Sequence, residues 1–258
     1  MEFIVIPLVG FVVSALTFFS GFGLGTLLLP AFIAFFPAEV AVGLTAVVHA
    51  LNNLFKFSLV RRNINRAVVV QFGVPAFFAA YFGAKLLGYL AEGQSPLRYE
   101  LFSRVFVTTP LNVLMAVLIL FFAAVEMVPR LGHLAADRRY LVLGGALSGF
   151  FGGLSGHQGA FRSAFLLRSG LSKEAFIASS IAIALLVDAV RIAVYGAHFS
   201  GATIASNVRL LLVVIAAAFL GAFFGNRVAK KTTLRSVRVV VSILLFVVAA
   251  GLLTGAVG

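Results

Sequence analysis

The chain has 258 residues, of which 62% are hydrophobic and only 11% are charged. Soluble domains average roughly 45–50% apolar and 25% charged residues, and a globule of this size has too little interior to bury 28 phenylalanines, so a soluble protein is excluded. The net charge of +12 would indicate nucleic acid in a soluble chain. Here it indicates membrane topology, so the lipid bilayer is the expected partner and nucleic acid is not.

Cysteine is absent, which excludes disulfides, thiolate metal sites and cysteine nucleophiles. We expect neither a metal site nor a cofactor. The start Met1-Glu2-Phe3 lacks the basic residues of a signal peptide, so the first apolar stretch is expected to be retained structure.

Apolar stretches long enough to span a membrane recur along the whole chain. A spanning helix needs about 20 residues, and six of the stretches fit one helix each. The first and fifth are too long for one helix and too short for two. The stretches lie at residues 3–36, 38–60, 67–90, 104–127, 140–169, 173–195, 204–225 and 236–257.

Both over-long stretches contain a glycine-rich break, at Ser20–Gly25 and at Gly152–Gly159. Around the first break, arms over 3–20 and 26–36 would be about 27 and 16 Å long, whereas the hydrocarbon core is about 30 Å thick. These lengths predict helical hairpins that enter the membrane and turn back.

The positive-inside rule supports returning hairpins, because it tests on which side each loop lies. If both hairpins return, 13 basic residues share one side, which is then cytoplasmic, and both chain termini lie outside. Arg98 is the only basic residue in the loops of the other side. The 13 residues are Arg61, Arg62, Arg66, Arg130, Arg138, Arg139, Arg168, Lys173, Arg227, Lys230, Lys231, Arg235 and Arg238.

Each half then contains one returning hairpin and three crossings. Because three is an odd number, the second half starts on the opposite side of the membrane from the first, and the two halves must be inverted relative to each other. A shift of 134 residues aligns Gly25 with Gly159, Ala41 with Ala175, and Thr45 with Ser179. We therefore predict an all-α polytopic membrane protein of two inverted repeats, each a re-entrant helical hairpin plus three transmembrane helices. The repeats cover 1–127 and 140–258, joined by a cytoplasmic linker over 128–139. This architecture is typical of secondary transporters that work by alternating access.

Irregular backbone at membrane depth is tolerated where it lines a cavity, so the two breaks predict a binding site. The second arm of each hairpin begins after its glycines, and free amides at a helix N-terminus favour an anion. The alternative is that Gly21-x-x-x-Gly25 and Gly152-x-x-x-Gly156 only allow close helix packing. Matching clusters in both halves favour the cavity.

Ionisable side chains within the apolar stretches are candidates for function, because burying them is costly. Arg162 would supply a counter-charge one turn beyond the second break. Asp188 and Arg191, at i, i+3 spacing, either neutralise each other or contact substrate. His157 either titrates or caps the break, and Lys56 is expected to reach the membrane surface. Because Asp188 is the one acid deep in a stretch, an anion is favoured over a cation as substrate.

The predicted substrate-binding residues are therefore polar or glycine residues of the two breaks and of the facing helices. They are Gly21, Gly23, Gly25, Thr26, Asn52, Asn53, Ser155, Gly156, His157, Gln158, Gly159, Arg162, Ser179, Asp188 and Arg191.

Several segments together resemble the sulfite exporter family of the TauE/SafE type, over essentially the whole chain. They are GFGLGTLLLP at 21–30, PAEVAVG at 37–43, RRNI at 61–64, SGHQGAFRSA at 155–164, SKEAFIA at 172–178 and DAVR at 188–191. The resemblance implies a non-enzymatic secondary transporter of small sulfur-containing anions such as sulfite, sulfoacetate or thiosulfate, in the cell inner membrane. A coupling ion, H⁺ or Na⁺, would accompany the anion.

Two other classes stay open. Gly153-Leu154-Ser155-Gly156 matches the nucleophile pattern of rhomboid intramembrane proteases, with His198 as base and His49 with Asn53 as the oxyanion pair. Against this, the chain has no tryptophan for the rhomboid tryptophan–arginine loop motif. The third class is a membrane assembly protein that transports nothing.

Overall fold

The structure is a computed structural model that describes residues 1–17, 23–101, 103–127, 138–167, 169–198, 205–228 and 245–257. The described part is almost entirely helical, which confirms the predicted all-α membrane fold. The α-helices are α1 (Glu2–Thr17), α2 (Leu24–Ile33), α3 (Ala38–Val60), α4 (Arg66–Ala91), α5 (Pro110–Met127), α6 (Leu141–Ser155), α7 (Gly159–Leu166), α8 (Lys173–His198), α9 (Val208–Val228) and α10 (Leu245–Thr254). Short 3₁₀ turns at Arg61–Asn63 and Arg138–Tyr140 follow α3 and precede α6.

Four of the described helices, α3, α4, α8 and α9, are long and apolar enough to cross a membrane. In contrast, α1 and α2 have 16 and 10 residues, and α6 and α7 have 15 and 8. At 1.5 Å per residue these four helices are about 24, 15, 22 and 12 Å long, all shorter than a ~30 Å hydrocarbon core. Each over-long apolar stretch therefore contains two short helices in place of one spanning helix.

The helix predicted over 104–127 begins six residues later than expected. Residues Leu97–Leu101 and Arg104–Thr108 form an antiparallel hairpin, β1 and β2, in which Tyr99 pairs with Phe106. The run Val105-Phe106-Val107-Thr108 is rich in aromatic and β-branched residues, which favour a strand over a helix. Pro110 then occupies the first turn of α5, where its missing N–H costs nothing.

This hairpin contacts the end of α10. The Tyr99 hydroxyl donates to the Leu253 carbonyl at 2.5 Å, and the Thr108 hydroxyl donates to the Leu252 carbonyl at 2.6 Å. The last carbonyls of a helix have no partner within the helix. The hairpin therefore satisfies two of them, and a segment of the first half of the chain closes the end of the last helix.

Glycines let two pairs of helices pack with their backbones in contact. Helix α6 packs against α4, and α1 packs against α9. A Cβ at Gly145, Gly149 or Gly153 of α6 would lie 2.2, 2.1 or 2.1 Å from the carbonyl oxygens of Phe72, Ala76 and Ala80. On α9, a Cβ at Gly221 or Gly225 would lie 2.1 or 2.4 Å from the carbonyl oxygens of Phe11 and Ala15. These five glycines therefore have a packing role, and none of them belongs to the Gly21-x-x-x-Gly25 or Gly152-x-x-x-Gly156 pair for which packing was the alternative interpretation.

Candidate functional site

The two helix breaks meet in the interior. A Cβ at Gly25 would lie 3.3 Å from the Gly156 carbonyl oxygen and 3.6 Å from the His49 ring. Gly23, which precedes α2, has φ +107°, and Gly156, which ends α6, has φ +81°. Residues with a Cβ rarely adopt these angles, so glycine is required at both positions. Gly21 lies outside the described residues.

Gln158 links the second break to the charged side chains around it. Its carbonyl accepts from Ser148 Oγ at 2.8 Å, which holds the backbone before α7. Its side-chain amide donates to Asp188 Oδ1 at 3.1 Å, and its Oε1 accepts from Arg162 Nη1 at 2.8 Å. The break is therefore connected to Asp188 on α8 and to Arg162 on α7 through one neutral side chain.

Asp188 is the centre of the buried polar cluster. Its Oδ1 accepts from Arg191 Nε at 3.0 Å, and Arg191 Nη2 lies 2.9 Å from the same oxygen. The pair expected from the i, i+3 spacing is therefore formed. Its Oδ2 lies 2.6 Å from His49 Nδ1. One fully buried carboxylate thus binds residues of α3, of α8 and of the second break.

His49 is the functional candidate that the sequence reasoning missed, because it entered only the protease alternative. The ring lies within 3.3 Å of the Asn53 amide nitrogen as well as contacting Asp188. Three residues after His49, Asn52 accepts from Ser14 Oγ of α1 at 3.1 Å. The signal was present in the sequence: His49, Asn52 and Asn53 lie on one face of a helix within an apolar stretch.

Several buried polar atoms near the breaks have no hydrogen-bond partner in the described part of the chain. Asn52 Nδ2 and Arg191 Nη1 are donors, and a Cβ at Gly156 would lie only 2.9 Å from that arginine nitrogen. The Thr45 hydroxyl and His157 Nε2 are also buried without a partner. Buried polar groups normally have partners, so these atoms are open to a ligand or to water.

His157 and Ser155 contact each other at the second break. His157 Nδ1 lies 3.1 Å from Ser155 Oγ, and the His157 ring stacks on Phe122 with centroids 4.9 Å apart. The Ser155 hydroxyl donates to the Phe151 carbonyl at 3.1 Å. This arrangement fits the interpretation that His157 caps the break. The side chain of His198, the base of the protease alternative, lies outside the described residues.

Ser179 and Lys56 lie in places other than those the sequence predicted. The Ser179 hydroxyl accepts from the Asn65 backbone N–H at 3.0 Å, nine residues before Asp188 and therefore about 13.5 Å from it along α8. Ser179 thus braces the start of α4 and is not brought to the breaks. Lys56 was expected to reach the membrane surface, but only 4% of it is exposed. It lies on the same face of α3 as His49 and Asn52, which turns towards the protein interior.

Thr26 and Gly159 are buried in the first turns of α2 and α7, where the predicted amides lie. Among the described residues, no group of three or more His, Cys, Asp or Glu side chains is placed to hold a metal ion.

Comparison with known proteins gives one family. A search of the curated proteins and a search of the solved structures yield no match. A sequence model described as "Sulfite exporter TauE/SafE" matches residues 6–252, which includes both breaks, His49, Asp188 and both buried arginines. Since the match covers nearly the whole chain, this multi-pass membrane protein belongs to the sulfite exporter TauE/SafE family.

Proposed function

We propose that the chain is a secondary transporter that holds a small sulfur-containing anion between the two breaks and moves it by alternating access. Sulfite, thiosulfate and sulfoacetate are the candidate substrates. The observation that carries this proposal is a pair of buried arginines, Arg162 and Arg191, at the place where the breaks meet, next to buried donors that have no partner among the described residues. The basic loops are proposed to be cytoplasmic and both termini external, in a cell inner membrane.

Basic side chains are concentrated in the described interior. Lys56, Arg162 and Arg191 are all buried, and the two arginines lie beside the second break. Ionisable groups inside a membrane protein are costly and mark functional sites. A small anion is the ligand that these basic side chains would attract.

The two arginines differ in their contacts, which assigns them different roles. Arg191 donates to the carboxylate of Asp188 on its own helix. Arg162 donates to the neutral amide oxygen of Gln158 and lies in the first turn of α7. The N-terminus of that helix attracts negative charge as well. Arg162 is therefore the proposed counter-charge of the anion, and Arg191 keeps Asp188 in place.

The packing of the helices supports two halves that move against each other. The first arm of each predicted hairpin, α1 or α6, packs on a helix of the other half, α9 or α4. The pair of His49 and Asp188 likewise joins α3 of the first predicted repeat to α8 of the second. Contacts exchanged in this reciprocal way are expected of inverted repeats whose site lies between them.

The direct test is anion binding by the purified protein. Thermal unfolding in detergent is followed with sulfite, thiosulfate, sulfoacetate, sulfate, taurine and acetate. A ligand present at 100 times its dissociation constant stabilises the folded state by about 2.7 kcal/mol, which moves the midpoint measurably. If none of these anions moves the midpoint or binds in calorimetry, the transporter proposal is rejected in favour of an assembly protein.

Replacing Arg162 tests the counter-charge. Arg162→Gln is expected to weaken anion binding by about 1.5–3 kcal/mol, or roughly 10- to 150-fold, because a charge-assisted hydrogen bond is lost. Arg162→Lys should restore part of the affinity, since an ammonium lacks the planar fork of the guanidinium. Arg209→Gln is the matched control, because Arg209 is exposed at the start of α9. Unchanged binding in Arg162→Gln together with lost binding in a well-folded Arg191→Gln would reverse the two assignments.

Replacing Ser155 distinguishes the transporter from the protease. The contact between Ser155 and His157 is the observation for which the protease is tested. Ser155→Ala removes one neutral hydrogen bond, so transport should fall by about tenfold at most. A protease would instead lose all activity. Labelling of the wild type by a fluorophosphonate probe, absent from Ser155→Ala, would contradict the transporter proposal.

A further inference from the structure

Gln158 is held at three points, and each of its side-chain bonds has one possible direction. Its backbone carbonyl accepts from Ser148 Oγ at 2.8 Å. A carboxylate can only accept and a guanidinium can only donate, so the side-chain NH₂ must face Asp188 and the side-chain oxygen must face Arg162. The two neighbours therefore determine the orientation of this amide.

The missing side chain of Gly152 makes room for Gln158. A Cβ at Gly152 would lie 2.9 Å from Gln158 Cβ and 2.9 Å from Val187 Cγ1, closer than side-chain carbons approach each other. Gly152 lies one turn after Ser148 on the same face of α6. The first glycine of the Gly152-x-x-x-Gly156 pair thus faces side chains, and its role is to let Gln158 lie against α6 beside the serine that holds it.

Few side chains could take the place of Gln158. The group between Asp188 and Arg162 must donate on one side and accept on the other. Methionine does neither, lysine only donates, and ionised glutamate only accepts. A glutamine amide meets both requirements without adding a charge to an interior in which charge is costly.

The ionisable side chains near Gln158 in the described part of the chain belong to α3, α7, α8 and the second break. They are His49, Arg162, Asp188, Arg191 and His157. Gln158 is the neutral side chain that joins the acid of this group to Arg162.

We propose that Gln158 is a positioning residue, which holds the guanidinium of Arg162 beside the second break so that the anion meets an arginine already oriented to bind it. This inference rests on the proposed anion site, in which Arg162 is the counter-charge. The sequence predicts Gln158 as a substrate-binding residue, whereas here it acts through Arg162. A group that is oriented before binding loses less conformational freedom when the ligand arrives. Arg162 has a further interaction, so Gln158 supplies part of its orientation.

The first test is a double-mutant cycle. Thiosulfate affinity is measured by isothermal titration calorimetry on the purified full-length protein, for wild type, Gln158→Met, Arg162→Gln and the double variant. Gln158→Met is expected to weaken binding about tenfold, because the lost hydrogen bond involves a charged group. Adding Gln158→Met to Arg162→Gln should then change the affinity by less than about twofold, since the arginine to be positioned is gone. A direct contact between Gln158 and the anion would instead give two losses that multiply.

The second test uses Gln158→Glu, which keeps the shape of the side chain. Ionised glutamate cannot donate to Asp188, so binding should be weak near about pH 8. A protonated glutamic acid donates through its hydroxyl and accepts through its carbonyl, so it reproduces the bridge. The affinity of this variant relative to wild type at the same pH should therefore rise on acidification, by up to about tenfold per pH unit. Thiosulfate keeps its charge over this range, and division by the wild-type value removes the effect of other titrating groups.

Gln71→Glu is the matched control, because Gln71 is exposed on α4. This variant should keep the affinity and the pH profile of the wild type. Size-exclusion chromatography and the thermal unfolding midpoint show which variants are folded.

The outcomes distinguish this inference from the proposed function. If wild-type protein binds neither thiosulfate nor any other candidate anion, the anion site itself is wrong. If Gln158→Met binds thiosulfate as well as wild type does, or if the losses in the cycle multiply, the anion site stands and the positioning role is wrong. A pH profile of Gln158→Glu that parallels the wild type overturns the bridge even where Gln158→Met does not fold.

Discussion

Asp188→Asn is expected to lose about 3–5 kcal/mol of folding stability, the largest effect of any single charge change in the described interior. The neutral amide lacks the charge that matches Arg191, and its single oxygen cannot replace both Oδ1, which accepts from Arg191 Nε, and Oδ2, which contacts His49 Nδ1. Its own NH₂ group would also face one of these donors. We expect little folded protein after detergent extraction and a large drop in the unfolding midpoint, measured by size-exclusion chromatography and thermal unfolding.

The control variant and the rescue variant both change residues of α8, the helix that carries Asp188. Glu174→Gln makes the same chemical change at an exposed position of α8 and should be neutral within about 0.5 kcal/mol. The double variant Asp188→Asn/Arg191→Gln should express better than Asp188→Asn, because the stranded guanidinium is gone. Normal stability of Asp188→Asn alone would show that the carboxylate is not the centre of this network.

Gly153→Ala is expected to destabilise the protein by about 3 kcal/mol through overpacking. Its new Cβ would lie 2.1 Å from the carbonyl oxygen of Ala80, which is backbone and cannot turn aside as a side chain could. Helices α6 and α4 would have to separate along the whole line of glycine contacts. The same shift would disturb the second break, since Tyr195 donates from α8 to the carbonyl of Gly153. Thermal unfolding and anion affinity should therefore both fall.

Gly43→Ala provides the matched control, because Gly43 lies within α3 and a Cβ there would meet nothing within 4 Å. Alanine is the better helix former by about 1 kcal/mol, so this variant should be equal to or more stable than the wild type. If Gly153→Ala and Gly43→Ala behaved alike, the close contact between α6 and α4 would not be a feature of the molecule in the membrane.

The parts of the fold that depend on local composition could be predicted from the sequence. Helix α3 begins and ends where its apolar stretch does, at Ala38 and Val60. The breaks lie at the glycine clusters, because hydropathy gives the length of a stretch and glycine marks where the helix is interrupted. The assignment of these elements to two inverted repeats stays a prediction.

Other parts depend on contacts that a single sequence does not display. The β-hairpin over 97–108 was missed because a short apolar run does not distinguish a strand from the start of a helix. His49 and Asp188 are 139 residues apart, so no spacing rule links them. Lys56 was placed at the surface by its closeness to Arg61, although its helix turns that face inward.

The long separation between His49 and Asp188 also has a consequence for how the chain is made. Of the four long helices, α3 is the least apolar, with a mean hydropathy of 1.3. Ribosomes add roughly 5–20 residues per second, so Asp188 is synthesised about 7–28 seconds after His49. During that interval α3 has left the ribosome while the acid that matches its polar face does not yet exist. The insertion machinery must therefore accept α3 on its apolar residues alone and shelter His49, Asn52 and Lys56 from lipid until α8 arrives.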